Sequence, residues 1–235
     1  METVLQHAAL DSRTLEMARY LINNAYIRVV NYHNTREKDM ARFEKEIAYF
    51  AEHFSPVTVA DMDEFFRTRK WPKEKPGLIP AIFEGWRTHY DVMAAVLDKY
   101  GFTGWFYVPS FFMDVPVNQQ AAFVPSHGLR LTAAEDYPDG RYAMTRQEVR
   151  QLAEKHEICC HTGSHFRIEK DTSEEDMYRE IVESKQRLEE IAGKPVDVFC
   201  WLHGEEYSYN VRAQKFLQQA GYKYVVSNLK LEKIR

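Results

Sequence analysis

The chain is 235 residues long, 45% hydrophobic and 14% aromatic, with a net charge of −4. Those values suit a globular chain with a substantial core, in one large domain or two small ones. No basic stripe is present, which argues against nucleic acid as a partner, and no run of eighteen apolar residues is present that would span a membrane.

Leu15, Ala18, Leu21 and Ile22 recur at helical spacing and predict a helix over 12–24, an N-terminal helical extension occupying residues 1–25. A strand follows over 25–33. Residues 36–52 are amphipathic, with Met40, Phe43, Ile47 and Phe50 on one face. A short extended piece is predicted over 57–59 and a helix over 61–69, with Phe65 and Phe66 inward. Trp71 to Gly77 holds two prolines and a glycine and reads as a loop. Residues 78–83 are a continuous apolar run, as a strand buried on both faces requires. A helix over 89–100, stopped by Gly101, and a strand over 103–108 complete a β-α-β unit with parallel pairing. Residues 109–143, rich in Phe, Pro and polar side chains, read as a long irregular loop or lid. Thr145 and Glu148 form a capping-box pair that starts a helix running to about 156. A strand over 157–160, a long charge-rich helix over 173–192 closed by Gly193, a strand over 196–201, a helix over 210–220 and a strand over 222–226 follow. The alternation predicts one α/β barrel or open parallel sheet over 26–235.

The N-terminus has neither a basic n-region nor an apolar h-region, so no signal peptide is expected. Cys159 and Cys160 are adjacent and Cys200 lies apart, which fits reduced, buried thiols rather than a disulfide set. Both features point to a cytoplasmic protein.

The chemistry concentrates in Glu157-Ile158-Cys159-Cys160-His161-Thr162-Gly163-Ser164-His165. Two histidines four apart beyond a strand fall on one side if the chain turns helically there. Two neutral imidazoles are good ligands for Zn and also serve Co or Ni, but they need a carboxylate to complete a set of three. With nine histidines in the chain, the spacing alone is a weak signal.

The order of motifs resembles one family, the polysaccharide deacetylases, or NodB-homology proteins of carbohydrate esterase family four, over roughly residues 27–227. Val30-Asn31-Tyr32-His33-Asn34 looks like the opening strand of members acting on exopolysaccharide glucosamine. Ala81-Ile82-Phe83-Glu84-Gly85-Trp86 stands where that family has Thr-Phe-Asp-Asp-Gly-Tyr. His161-Thr162-Gly163-Ser164-His165 matches the family's metal-binding motif in full. Glu180, Ser184, Lys185 and Leu188, followed by Gly193-Lys194-Pro195-Val196, look like the helix after it. Phe199-Cys200-Trp201-Leu202-His203-Gly204-Glu205 occupies the place of an aromatic-Pro-Tyr-Gly segment.

The resemblance implies a distorted (β/α) TIM-like barrel and metal-dependent hydrolysis of a carbon–nitrogen amide bond, N-deacetylation of a carbohydrate above all. It implies a divalent cation, Zn first with Co or Ni as alternatives, held by Glu84, His161 and His165. The family's general base falls on Phe83, which cannot accept a proton, and losing a positioned base typically costs about a hundred- to ten-thousand-fold in rate. No Leu-x-x-His motif follows residue 204 within these 235 residues, so the leaving-group acid is either missing or lies beyond them, and His203 is the nearby candidate for proton transfer. The His203 backbone N–H can still serve an oxyanion. Trp86 and Trp201 are candidates for stacking on a sugar ring and His33 for lining the mouth, although aromatics in such strands are more often core. Two alternatives stand beside the hydrolase. One is a sugar- or metal-binding relative that kept the histidines and lost turnover. The other is a metal-free amidohydrolase of the same fold, of the allantoinase-like branch.

Overall fold

A computed structural model describes residues 26–202, residues 211–227 and the backbone of strand 231–233. The helix expected over 12–24, the 1–25 extension and His203 lie outside the described residues. Eight strands form one sheet: β1 (Ile27–Tyr32), β2 (Ser55–Pro56), β3 (Gly77–Phe83), β4 (Trp105–Val108), β5 (Glu157–Cys160), β6 (Val198–Cys200), β7 (Tyr224–Val226) and β8 (Leu231–Lys233). The order is β1-β3-β4-β5-β6-β7-β8, with β2 against the start of β3. Among the described residues every pairing of these strands is parallel except β7 with β8, an antiparallel addition that was not anticipated.

Side chains alternate across each strand, and the alternation sorts the core into two layers. Ile79, Ala81, Phe83, Trp105, Tyr107, Cys159, Val198, Cys200, Tyr224 and Val226 form one buried cluster on the concave face. Leu78, Ile82, Phe106, Val108, Ile158, Cys160, Phe199 and Val225 face the other way, into a second cluster shared with the helices. One face curls on itself and the other is covered by helices, as in a distorted (β/α) barrel. All seven residues of β3 are buried, which explains its unbroken apolar sequence.

Helices α1 (Met40–His53) and α2 (Val59–Thr68) cover the first crossover. Met40 proves exposed while Phe43 and Ile47 are buried. In α2 the buried residue is Met62, with Phe65 and Phe66 half-buried. The extended piece expected over 57–59 lies two residues earlier as β2, Thr58 keeps extended backbone angles, and α2 begins at Val59. Thr58 is its N-cap in a capping box with Asp61, and this side-chain bond starts the helix directly after the extended residues. A π-helical His89–Ala94 leads into α3 (Ala95–Lys99).

The segment 109–143 is not irregular throughout. It contains α4 (Val117–Ser126), which Pro125 in its last turn disguised. Helix α5 (Arg146–Ala153) begins with the expected Thr145–Glu148 capping box. The long acidic helix runs as α6 (Glu174–Met177), a π-helical Tyr178–Glu183 and α7 (Ser184–Ala192), closed by left-handed Gly193. Three of its polar residues, Glu180, Ser184 and Lys185, are buried. Helix α8 (Ala213–Ala220) leads into β7. Among the described residues no helix is long and apolar enough to cross a membrane. Cys159, Cys160 and Cys200 are free and buried.

Two histidines in this framework make it acid-sensitive. His89 is 0% exposed and its pKa is pushed down to about 3, chiefly by burial; its Nε2–H donates to the His33 carbonyl, 3.1 Å away. Burial likewise pushes His156 down to about 4. A folded pKa below the unfolded 6.5 means that both rings stabilise the fold fully only above pH 6.5, and that this stability is lost as pH falls toward 4 and then 3. At pH 5 each site should have cost about 2 kcal/mol relative to pH 7.5. Urea unfolding at both pH values should show the drop, and it should shrink by about that amount in His89→Gln and again in His156→Gln. An unchanged drop in both variants would assign the acid loss to other groups.

Candidate active site

The C-terminal ends of β1, β3 and β5 bring the candidate residues together around Phe83. The Phe83 ring is 8% exposed. It stacks on Tyr107 (4.6 Å, 8°) and on His33 (5.5 Å, 22°), and meets His161 edge-on at 5.2 Å. His33 keeps 60% of its side chain exposed.

Backbone strain marks the same place. Of the four non-glycine residues with positive φ among the described residues, three are Glu84 (87°), Thr162 (62°) and His165 (58°). Such conformations cost about 1–3 kcal/mol each and persist where the surroundings over-determine them. The turn after β5 is therefore not the helical turn expected from the spacing. Left-handed residues at 162 and 165 bring the imidazoles together, their centroids 5.2 Å apart and their planes at 68°. Both rings are nearly buried, at 5% and 6% exposed. His161 directs Nδ1 at the Cys200 carbonyl (3.2 Å) and His165 directs Nδ1 at the His127 carbonyl (2.7 Å). A carbonyl can only accept, so each Nδ1 carries the hydrogen and the neutral ring has its lone pair on Nε2. That is the arrangement in which outer-shell carbonyls orient histidine ligands.

Glu84 is placed differently. Its carboxylate accepts the indole N–H of Trp86 at 2.7 Å and lies 4.0 Å from Nε2 of His33. Burial raises its pKa, while the Trp86 hydrogen bond and the charges of His33 and Arg130 pull the other way. Among the described residues no group of three or more His, Cys, Asp or Glu is arranged to hold a metal ion. The two imidazoles thus fit a borderline divalent cation as a pair, and the carboxylate is not gathered to them in this arrangement.

Stacking on a sugar needs an open ring face, and neither tryptophan offers one. Trp86 is 0% exposed, edge-on to Phe112 at 5.6 Å, and Trp201 is 4% exposed, edge-on to Phe199 at 5.2 Å. Both are wall rather than platform. The segment 109–143 does reach the histidines, through the His127 carbonyl and through Phe111, whose N–H donates to Gly163 (2.7 Å). A Cβ on Gly163 would meet the Phe111 ring at 2.3 Å, so any side chain there requires that half-buried ring to shift.

Two contributors were given no site role by the sequence reading. Arg130, beside Glu84, sits in a polar loop with no periodic signal. Glu180 had a signal, because positions 180, 184 and 188 form one face of the acidic helix and all three are buried.

A family model described as polysaccharide deacetylase matches residues 82–225, more than half of the chain. No curated protein matches the sequence. Among solved structures, the deacetylase PplD of Streptococcus pyogenes, in complex with acetate, superposes with a TM-score of 0.65 at 12% identity, covering 86% of this chain and 83% of that one. IcaB from Ammonifex degensii gives 0.63 at 13%, covering 86% and 83%. A de-N-acetylase from Aggregatibacter actinomycetemcomitans gives 0.62 at 19%, covering 89% and 88%. At these identities the likeness establishes a shared fold.

Proposed function

We propose that this chain, which belongs to the polysaccharide deacetylase family, hydrolyses the N-acetyl amide of an N-acetylated carbohydrate with the help of a divalent cation, Zn first. The observation that carries the reading is the histidine pair, two buried imidazoles in contact with each Nδ1 tied to a backbone carbonyl. His161 and His165 would hold the cation as a pair, while the Glu84 carboxylate, turned to Trp86 and His33, is not gathered to them. When bound, such a cation supplies Lewis acidity toward a carbonyl oxygen. His33, exposed at the rim, lines the approach of the sugar. Phe83 makes the wall beside His161 apolar and keeps water from it. His203 is our candidate for moving the proton, since it follows by three residues the Cys200 whose carbonyl holds His161.

Acetate release from N-acetylglucosamine oligomers, with Zn²⁺ supplied and with Zn²⁺ chelated, tests the proposal. Slow release that depends on Zn²⁺ and is lost in His203→Ala is the expected result. Release unaffected by chelation would overturn the cation's role. The burial of Phe83 at the base position favours a second reading, a relative that binds the sugar or the cation without turnover. Zn²⁺ binding with no acetate release would select it.

A further inference from the structure

We propose that Glu180 is the positioning residue of the histidine loop. The inference rests on reading His161 and His165 as ligands of the cation. Glu180 is 1% exposed, and a buried carboxylate is costly unless its oxygens are satisfied. Oε2 accepts the backbone N–H groups of Gly163 and Ser164, each at 2.7 Å, and Oε1 accepts the Ser164 hydroxyl at 2.9 Å. Arg179 stands 3.3 Å from Oε1.

Successive N–H groups next to a left-handed residue form a concavity that takes an anion. Here Thr162 is the left-handed residue and the carboxylate of a distant helix is the anion. All three groups held by Glu180 lie between His161 and His165, so Glu180 sets the loop that spaces the two rings. The carboxylate comes from the π-helical Tyr178–Glu183, and such widened turns recur at functional sites. Lower on the same helix, Ser184 meets Ser110 (2.9 Å) and Lys185 donates to the Val196 carbonyl. The Lys185 contact ties the helix to its neighbours without touching the histidine loop, whereas Ser110 also donates its backbone N–H to the Thr162 carbonyl (3.4 Å) and Ser184 also meets Cys160 Sγ (3.1 Å).

Three variants of the full chain separate positioning from general stability. Imidazole nitrogen NMR on metal-free protein reports on His161 and His165, calorimetry gives Zn²⁺ affinity, and oligomer kinetics give kcat and KM. Glu180→Ala orphans two N–H groups and should shift both histidine signals, with Zn²⁺ affinity falling about 10- to 100-fold, as losing an outer-shell partner does. Where turnover is measurable, kcat should fall with KM little changed, since Glu180 touches no substrate. Glu180→Gln keeps one oxygen for both N–H groups and should retain most of the affinity. Lys185→Met should lower Tm and leave the histidine signals in place. Unmoved signals and unchanged Zn²⁺ affinity in Glu180→Ala would overturn the proposal, as would equal histidine shifts in Lys185→Met. If Glu180→Ala does not fold, Glu180→Asp, one methylene too short, must lose more affinity than Glu180→Gln, and equality of the two is the overturning result. If the unaltered chain binds no Zn²⁺ and releases no acetate, the functional reading falls, and the histidine signals of the metal-free variants still decide the role of Glu180.

Discussion

Replacing His161 by Gln should remove Zn²⁺ binding and lower acetate release by at least about 100-fold, beyond the 10- to 100-fold that an outer-shell loss costs. His161 is a tightly held member of the proposed ligand pair. Its ring is 5% exposed and is held by Phe83, Tyr107 and His165, with Nδ1 on the Cys200 carbonyl. Gln is the informative substitution because its amide N–H₂ can still donate to Cys200, so the fold survives while the imidazole nitrogen is gone. His161→Ala also leaves that carbonyl unpaired in a buried site, which costs about 1–3 kcal/mol on its own and confuses the two effects. Calorimetric titration with Zn²⁺ and urea unfolding on the same samples separate them. Retention of wild-type Zn²⁺ affinity in His161→Gln would remove the histidine pair from the proposed site.

Replacing Phe83 by Asp should raise acetate release per folded molecule by about tenfold or more, because a carboxylate there can accept a proton beside the proposed cation. The substitution also destabilises. Phe83 joins Tyr107, His33 and His161 in one aromatic stack, and removing a buried Phe side chain costs about 3–5 kcal/mol before a charge is added. Rates must therefore be normalised to the folded fraction, and Tm should fall in every variant at this position. Phe83→Asn opens the same space without a proton acceptor and should show no gain. A gain in Asn equal to that in Asp would mean that Phe83 limits turnover by excluding water or substrate, not by the missing base.

What the sequence determined by itself was whatever depends on near neighbours along the chain. The continuous apolar run of β3, the Thr145–Glu148 capping box, the glycine that closes α7 and the β/α alternation are all local, and all are present. His161 and His165 are legible for the same reason, being four residues apart. Where two local preferences competed, the reading failed. Thr58 could continue a β-branched strand or cap a helix, and Pro125 could end α4 or sit in its last turn.

Tertiary structure alone decided which way the site's side chains face. Glu84 has a carboxylate at the family's ligand position, but its partners are an indole two residues on and His33 from a different strand. Trp86 and Trp201 are aromatic at strand ends, yet packing against Phe112 and Phe199 closes both rings to solvent. His165 is oriented by a backbone carbonyl thirty-eight positions earlier, which no side-chain pattern encodes. Glu180 is legible as part of a helix face, but the three groups at its oxygens come from a distant loop. Composition and periodicity record which residues a chain contains and how they recur. Hydrogen-bond partners and left-handed backbone angles at a strand end depend on segments that meet only when the sheet curls, so they belong to the folded protein alone.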